Sequence, residues 1–157
     1  MLKQEIERKF IINEIPNGLI PYEEKMIHQN YLSVVKDEEI RLRMEVQDGI
    51  KTYDITYKKG TGLVRDEFQF SIQEDLYEDL LAKIKEKPIK KFRQFYWLGD
   101  HELMIDKYSE MKDDLVVAEI EFVSEEAANF FEVPEWFGKE ITYDKNFKNK
   151  NLWKKIQ

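Results

Sequence analysis

Ionisable residues recur at every second position in five short segments of the chain. The five pairs are Glu5/Glu7, Arg41/Arg43, Arg65/Glu67, Lys91/Arg93 and Glu119/Glu121. Because side chains at positions i and i+2 of a β-strand point to the same side, each pair would project into one space. Paired carboxylates are ligands for hard divalent metal ions, and Arg and Lys side chains match the oxygen atoms of phosphate groups. If the pairs face one another, they predict a site for a metal-chelated polyphosphate.

The elements that must position these pairs have the period-2 alternation of β-strands. Seven segments alternate charged or polar side chains with apolar ones: 4–12, 39–46, 51–58, 64–72, 91–98, 102–108 and 115–123. Gly60 and Gly62 lie between the third and fourth segments and predict a turn that joins them as a hairpin.

Two segments have a helical pattern instead. Residues 73–87 carry an apolar stripe at helical spacing and precede Pro88, which predicts an amphipathic helix. Ser124 is a suitable N-cap for a short helix over 125–132. The remaining segment, 135–157, is expected to be irregular or helical.

The like-charged pairs also bear on how the strands are arranged. Charged residues that alternate with apolar ones are typical of any solvent-facing sheet, so one strand of this kind needs no further explanation. In several of the pairs, however, the two side chains carry the same charge and repel each other. Such a pair does not stabilise the fold unless an opposite charge or a bound ion lies between the two side chains. A closed antiparallel barrel accounts for the whole set, because its apolar side chains pack outward against helices and its charged side chains face a polar lumen. We therefore expect an α+β fold that is mostly β.

Composition narrows the classes of function. With 157 residues, 42% of them hydrophobic, the chain suits one domain. The absence of cysteine excludes a disulfide framework and a thiolate metal site, and two histidines are too few for a multi-histidine zinc centre. A net charge of −7 argues against nucleic acid as a partner. No apolar run approaches the ~20 residues that span a bilayer, so we expect a soluble, cytoplasmic protein that does not bind membranes.

The first predicted strand carries a motif found in a known family. Glu5, Glu7 and Lys9, within the sequence EIERKF, resemble the E-x-E-x-K start of the CYTH domain of triphosphate tunnel metalloenzymes. Similar elements follow in the family's order: 29–32 as Q-x-Y-L, 41–43 as R-x-R, 56–58 as T-x-K, 65–69 as R-x-E-F-E, 91–93 as K-x-R, Asp106, 118–121 as A-E-I-E and 147–152 as Y-x-N-x-x-L. Two positions depart from these motifs, since Gln69 replaces a Glu and Phe147 replaces a Tyr.

The resemblance implies an eight-stranded antiparallel tunnel with helices packed outside, formed by residues 1–157 as a single domain. Members of the family hydrolyse or rearrange triphosphates inside the tunnel with Mg²⁺ or Mn²⁺. By the same resemblance, the metal-binding acids would be Glu5, Glu7, Asp106, Glu119 and Glu121. The residues that hold the triphosphate would be Lys9, Arg41, Arg43, Lys58, Arg65, Lys91 and Arg93.

Three of these residues, Glu5, Glu7 and Lys9, would act directly in catalysis, and Glu67 and Asn149 would support the site. Lys9 would serve either as a charge clamp or in proton transfer. The leading functional prediction is a metal-dependent inorganic triphosphatase that converts tripolyphosphate to pyrophosphate and phosphate. The alternatives are an adenylate cyclase or a nucleoside or thiamine triphosphatase of the same family, and a non-catalytic polyphosphate-binding module. Each implies a small triphosphate, tripolyphosphate or ATP, as the partner of a monomer or homodimer.

A cyclase would also need residues that read the base, and the sequence offers no convincing set. Five aromatic residues of the predicted strands are expected to clad the outside of the barrel: Phe68, Phe70, Phe92, Tyr96 and Phe122. His28 and His101 are expected to be incidental, because neither lies beside a carboxylate pair on its own strand face.

Overall fold

Strands dominate the computed structural model, which describes residues 2–111 and 114–157. The strands are β1 (Lys3–Ile12), β2 (Glu23–Val35), β3 (Glu38–Gln47), β4 (Ile50–Lys59), β5 (Val64–Ser71), β6 (Ile89–Leu98), β7 (His101–Tyr108), β8 (Val116–Glu121) and β9 (Phe137–Glu140). The helices are α1 (Glu74–Leu81), α2 (Glu125–Phe130) and α3 (Asn149–Lys155), with a 3-10 turn at Lys145–Phe147 before α3. Within the two described ranges, every helix is too short or too polar to cross a membrane.

Eight of the strands close into a ring at β1. The order is β1-β5-β4-β3-β2-β6-β7-β8-β1, and all neighbouring pairs are antiparallel. Residues 3–6 of β1 pair with β5, whereas residues 7–11 pair with β8. The short β9 pairs with β1 beside Phe10 and Ile12. The prediction of a closed eight-stranded antiparallel barrel is confirmed, and closure satisfies the edges that an open sheet would expose.

The seven predicted strands correspond to β1 and β3–β8, but β2 and β9 were not predicted. Three consecutive residues of β2 are buried: Gln29, Asn30 and Tyr31 are 0%, 2% and 4% exposed. A strand buried on both faces loses the apolar–polar alternation by which strands are predicted. A β-bulge between Tyr31 and Ser33 shifts the register as well. β9 has only four residues, too few to show a period.

The predicted helices are present but shorter. Helix α1 occupies only the first part of 73–87. The N–H of Ile84 donates to the carbonyl of Leu81, three residues earlier, and this tighter turn ends the helix. Ser124 caps α2 as predicted, since its hydroxyl accepts a 3.0 Å hydrogen bond from the N–H of Ala127. The segment 135–157 contains both β9 and α3, so it is partly helical.

Apolar side chains on the outside of the barrel pack beneath two of the helices. α2 lies over a cluster that includes Phe10 and Ile120. α1 contributes Tyr77 to a second cluster with Leu42 and Tyr53. These two helices cover the outer apolar faces of the strands, as the sequence predicted.

A third apolar cluster lies inside one end of the barrel. Strand alternation gives Ile11 the orientation of Lys9, and Val117 the orientation of Glu119, so these apolar side chains continue the inner wall. They pack with Leu152 of α3 and with six further buried or partly buried residues: Tyr31, Ile89, Tyr108, Leu115, Ile141 and Trp153. Helix α3 therefore closes this end, and the sequence analysis did not predict that part of the lumen is apolar.

Candidate active site

The charged pairs face a shared hollow inside the barrel, between the mouth and the start of α3. This hollow is a cavity of about 150 Å³ with a mostly ionic wall. Its lining includes every site residue named from the sequence except Asp106: Glu5, Glu7, Lys9, Arg41, Arg43, Lys58, Arg65, Glu67, Lys91, Arg93, Glu119, Glu121 and Asn149. Asp106 is fully buried behind the wall. The barrel thus brings together residues that are more than 140 positions apart in the chain.

Three carboxylates converge on one side of the cavity. One oxygen from each of Glu5, Glu7 and Glu121 lies within 4.8 Å of the others. The antiparallel pairing of β1 with β8 sets Glu7 directly opposite Glu121, and Glu5 follows one pleat away on the same face. Three oxygen donors at this spacing fit a hard divalent cation such as Mg²⁺ or Mn²⁺. We call Glu5, Glu7 and Glu121 the carboxylate cluster.

The members of the carboxylate cluster differ in their charge balance. Burial raises the pKa of Glu5, but Lys58, with smaller contributions from Lys9 and Arg41, outweighs this effect and lowers the pKa to about 2. The ammonium of Lys58 donates to both oxygens of Glu5 at 2.8 and 2.7 Å, and it also lies 2.7 Å from Glu67. Glu5 is therefore a permanent anion at neutral pH.

Glu7 and Glu121 lack comparable compensation. Burial and the neighbouring carboxylate of Glu119 raise the pKa of Glu7 to about 7, despite a 3.0 Å ion pair with Lys9. Burial and the nearby Glu5 also raise the pKa of Glu121. The cluster thus holds more negative charge than the surrounding cations neutralise, and a bound divalent cation would relieve this repulsion.

Asp106 and Glu119 lie in a separate ionic network. Arg93 donates from Nε to Asp106 at 2.6 Å and from Nη2 to Glu119 at 2.7 Å. Lys91 donates to Asp106 at 2.5 Å, and Lys9 donates to Glu119 at 3.0 Å. The five acids predicted to bind metal therefore divide into the three of the carboxylate cluster and two acids that each bridge two cations.

Burial opposes the effect of the ion pairs on the pKa values in this network. Burial raises the pKa of Asp106, but Arg93 and Lys91 bring it below its usual value. Burial also lowers the pKa of Lys91, and the adjacent Arg93 adds to the effect, so that it falls to about 8. Lys9 behaves oppositely: burial disfavours its charge, but Glu119 and Glu7 raise its pKa well above the usual value. Lys9 lies between the two groups of acids and stays protonated.

Arginines line two other parts of the wall: Arg41 and Arg43 lie on β3, across the lumen from β1, and Arg65 lies on β5, next to β1. Arg43 is paired with Asp54 at 3.1 Å and with Glu45 at 3.2 Å, and the Nη2 of Arg41 donates to Thr56 at 2.9 Å. Among the described residues, the buried Nε of Arg41 and the buried Nε of Arg65 have no hydrogen-bond partner. Buried donors without acceptors are costly, so these two guanidinium groups are arranged to receive the oxygens of an anion.

Similar proteins identify the family. No family model matches the chain. An inorganic triphosphatase of Nitrosomonas europaea is 37% identical over 153 residues, which cover 94% of this chain and 95% of the relative. An inorganic triphosphatase of Acetivibrio thermocellus is 31% identical over 157 residues, or 96% of this chain and 94% of the relative. The chain belongs to the triphosphate tunnel metalloenzyme (CYTH) family.

A solved structure supports this membership. The crystal structure of an inorganic triphosphatase matches the chain with a TM-score of 0.65 at 33% identity, over 94% of this chain and 93% of that one. The two positions that depart from the motifs of triphosphate tunnel metalloenzymes both line the cavity. Gln69 replaces an acid and its Oε1 lies 3.5 Å from the Nη2 of Arg43, a long contact that leaves Arg43 less neutralised than a carboxylate would. Phe147 presents a ring without a hydroxyl.

Several residues of the site were missed in the sequence. Glu39 is 5% exposed and pairs with Arg65 at 3.1 Å and with Lys150 at 3.6 Å. Asp54 is 6% exposed and orients Arg43 and the hydroxyl of Thr56. Their positions carried a usable signal, because Glu39 shares the strand face of Arg41 and Arg43, and Asp54 shares the face of Lys58. Lys150 has no such signal, since its place depends on where α3 docks.

Proposed function

We propose that this protein hydrolyses the phosphoanhydride bond of inorganic triphosphate, releasing pyrophosphate and phosphate, with Mg²⁺ or Mn²⁺ as cofactor. One observation carries the proposal. Inside the tunnel, the carboxylate cluster of Glu5, Glu7 and Glu121 shares one cavity with arginines whose buried N–H groups have no acceptor among the described residues. Metal on one side and phosphate oxygens on the other would satisfy both groups. The two inorganic triphosphatases that resemble the chain over nearly its whole length support the same reaction.

The carboxylate cluster would hold the divalent ion. The ion would neutralise charge on the phosphate oxygens, which is the main requirement of phosphoryl transfer. Asp106 and Glu119 lie outside this cluster, and each is paired with two cations. We assign these two acids to orienting Arg93, Lys91 and Lys9, so their effect on turnover would act through those cations.

The basic residues would bind the triphosphate and stabilise the charge that develops as the bond breaks. Arg41 and Arg65 offer N–H groups that no protein acceptor occupies among the described residues. Arg43, Lys58, Lys91 and Arg93 are fixed by acids, so they need little reorganisation when substrate enters. Positioned donors in a buried site account for most of the acceleration in such reactions.

Lys9 would act as a charge clamp. Its raised pKa keeps the ammonium protonated at neutral pH, and it lies 3.0 Å from both Glu7 and Glu119. A permanently charged group can bind an oxygen of the substrate but is a poor proton acceptor. Of the two roles considered for Lys9, the clamp therefore has the stronger support.

The test is to incubate the protein with Mg²⁺ or Mn²⁺ and, in parallel, tripolyphosphate, ATP or thiamine triphosphate. We expect phosphate release mainly from tripolyphosphate, and none in the presence of excess chelator. Glu121→Gln should lose this activity, whereas the matched control Glu126→Gln, at an exposed position of α2, should retain it. Cyclic AMP formed from ATP would replace the proposal with a cyclase. Tight binding of tripolyphosphate without turnover would replace it with a binding module.

A further inference from the structure

A buried glutamate of β3 connects the wall of the cavity to helix α3. Glu39 lines the cavity but is only 5% exposed. Its Oε1 lies 3.1 Å from the Nη2 of Arg65 on β5, and its Oε2 lies 3.6 Å from the ammonium of Lys150 on α3. The two oxygens of one carboxylate therefore contact two different elements of the fold. We call Arg65, Glu39 and Lys150 the buried bridge.

Glu39 keeps its charge in spite of its burial. Burial raises the pKa of Glu39, but Arg65 above all, together with Lys58 and Lys150, brings the pKa below its usual value. Lys58 is the register partner of Glu39 on β4, and it also binds Glu5 of the carboxylate cluster. The carboxylate of Glu39 is thus an anion at neutral pH, and cations on three different elements stabilise it.

One end of the buried bridge fixes the direction of Arg65. In the part of the chain that the structure describes, Glu39 is the one acid that forms an ion pair with Arg65. Because a guanidinium group is rigid and planar, an anion held beside Nη2 also sets the direction of Nε. The Nε of Arg65 is buried and has no acceptor among the described residues, so it is available to an oxygen of a bound phosphate.

The other end of the buried bridge fixes the first turn of α3. The ammonium of Lys150 donates a 2.8 Å hydrogen bond to the carbonyl of Lys36, in the turn between β2 and β3. Lys150 is 5% exposed, whereas Lys148 and Asn149, which directly precede it in the chain, line the cavity. The docking of Lys150 therefore sets the place of two residues of the cavity wall.

We propose that Glu39 is a positioning residue that couples the orientation of Arg65 towards the triphosphate to the docking of α3. The proposal rests on the proposed function, because it assumes that Arg65 binds an oxygen of the substrate. A phosphate at Arg65 and a docked α3 then stabilise each other through one carboxylate, and this coupling acts equally in both directions. Glu39 carries the same charge as the substrate, so it acts through Arg65 and Lys150.

The first test separates orientation from charge. Charge alone predicts that Glu39→Gln binds an anion more tightly, since the variant removes a negative charge beside Arg65. The proposal predicts the opposite. The KM for tripolyphosphate should rise by about 5- to 30-fold, the scale of a lost charge-assisted hydrogen bond, with kcat within about threefold. An unchanged or lower KM would overturn the proposal, including the case in which kcat falls because fewer molecules are folded.

The chain offers a matched control on the same strand. Glu38 is exposed and pairs with Lys59 at 3.4 Å, so Glu38→Gln removes the same charge and an ion pair outside the cavity. This variant should change neither KM nor kcat. A rise in KM as large as that of Glu39→Gln would contradict the assignment to the buried bridge.

The second test addresses the α3 end of the buried bridge. Lys150→Met removes the ammonium but keeps an unbranched side chain, and Lys150 is not among the residues that line the cavity. The variant should nevertheless raise the KM for tripolyphosphate by about two- to tenfold. The double variant Glu39→Gln/Lys150→Met should have the KM of Glu39→Gln alone, because both changes break the same bridge. Additive effects, or no effect of Lys150→Met, would contradict the coupling.

Hydrogen exchange measures the coupling without turnover. With Mg²⁺ and a non-hydrolysable imido analogue of tripolyphosphate, amide exchange in residues 151–155 of the wild type should slow by about 3- to 10-fold. Glu39→Gln should lose most of this protection, and Glu38→Gln should keep it. Equal protection in Glu39→Gln and the wild type would overturn the proposal.

The two proposals fail in different ways. A wild-type protein that does not hydrolyse tripolyphosphate contradicts the proposed function, but analogue-dependent protection of α3 that is lost in Glu39→Gln would still support the coupling. A protein that hydrolyses tripolyphosphate with the same KM in Glu39→Gln and the wild type keeps the proposed function and loses this one.

Discussion

The two halves of the lumen are built from the same strands with opposite chemistry. On β1 the inner wall changes from charged to apolar between Lys9 and Ile11, and on β8 it changes between Glu119 and Val117. The apolar half is packed against α3 and excludes water from behind the charged half. Exclusion of water lowers the local dielectric, which strengthens every ion pair and shifts pKa values such as that of Glu7 to about 7. The apolar half raises the free energy of unfolding, whereas the charged half lowers it and provides the ionic groups of the site.

The largest expected effect lies in the charged half. Glu7→Gln should reduce triphosphate hydrolysis by about 10³-fold or more, because the metal would lose a carboxylate of its cluster and with it several kcal/mol of transition-state stabilisation. The same change should leave the free energy of unfolding at pH 8 unchanged or higher, since it removes a buried charge. Steady-state kinetics and urea unfolding would measure the two effects. A large decrease in the free energy of unfolding of Glu7→Gln would contradict the conclusion that the charged half of the lumen does not stabilise the fold.

The matching change in the apolar half is Trp153→Ala. Trp153 is 8% exposed, packs against Tyr31 with ring centroids 5.2 Å apart, and donates a 2.9 Å hydrogen bond to Asn30. Its removal should lower the free energy of unfolding by about 3–5 kcal/mol, as large-to-small changes at buried aromatic sites do. Trp97→Ala serves as the control and should cost less than about 1 kcal/mol, because its ring is exposed. Similar losses in both variants would mean that α3 does not seal a core.

The pH dependence of stability sharpens the comparison further. The pKa of Glu7 is raised in the folded state, from 4.5 to about 7, so the folded protein holds a proton that the unfolded chain releases. The free energy of unfolding of the metal-free protein should therefore fall as pH rises from about 5 to 8, by on the order of 1–3 kcal/mol from this group. Saturating Mg²⁺ should reduce the fall.

Glu7→Gln isolates this contribution, because every other titrating group is common to both proteins. Urea unfolding at pH 5 and pH 8 in the presence of chelator should show a smaller decrease in the variant than in the wild type. The same decrease in both would show that Glu7 does not titrate in this range.

The smallest effect is expected at a position that departs from the family motif. Gln69→Glu would set a carboxylate beside Arg43, where the amide oxygen now lies 3.5 Å away. Partial neutralisation of Arg43 should raise the KM for tripolyphosphate by about two- to fivefold, the scale of a partly exposed ion pair. The wild-type protein, with the isosteric Gln at position 69, is the matched control. Initial rates measured over a range of tripolyphosphate concentrations for the two proteins would give both KM values. A lower KM would instead indicate that the acid recruits metal.

The charged half could be predicted from the sequence, whereas the apolar half could not. Alternation on β1 and β8 assigned Glu5, Glu7 and Glu119 to the inner face directly, because charged and apolar side chains lie on opposite faces of these strands. Beyond Lys9 both faces of the strands are apolar, so the alternation disappears and with it the evidence for an inner wall. The pairing of each acid with its cation, such as Asp106 with Arg93, depends on strand order, which alternation within single strands does not encode.

Helix α3 turns the tunnel into a blind-ended channel. Substrate would then enter, and both products would leave, without passing through the end that α3 fills. A long polyphosphate cannot thread through and be shortened step by step from a strand that runs out of the far side. The dead end thus sets a limit on chain length that no residue in contact with the phosphates has to impose.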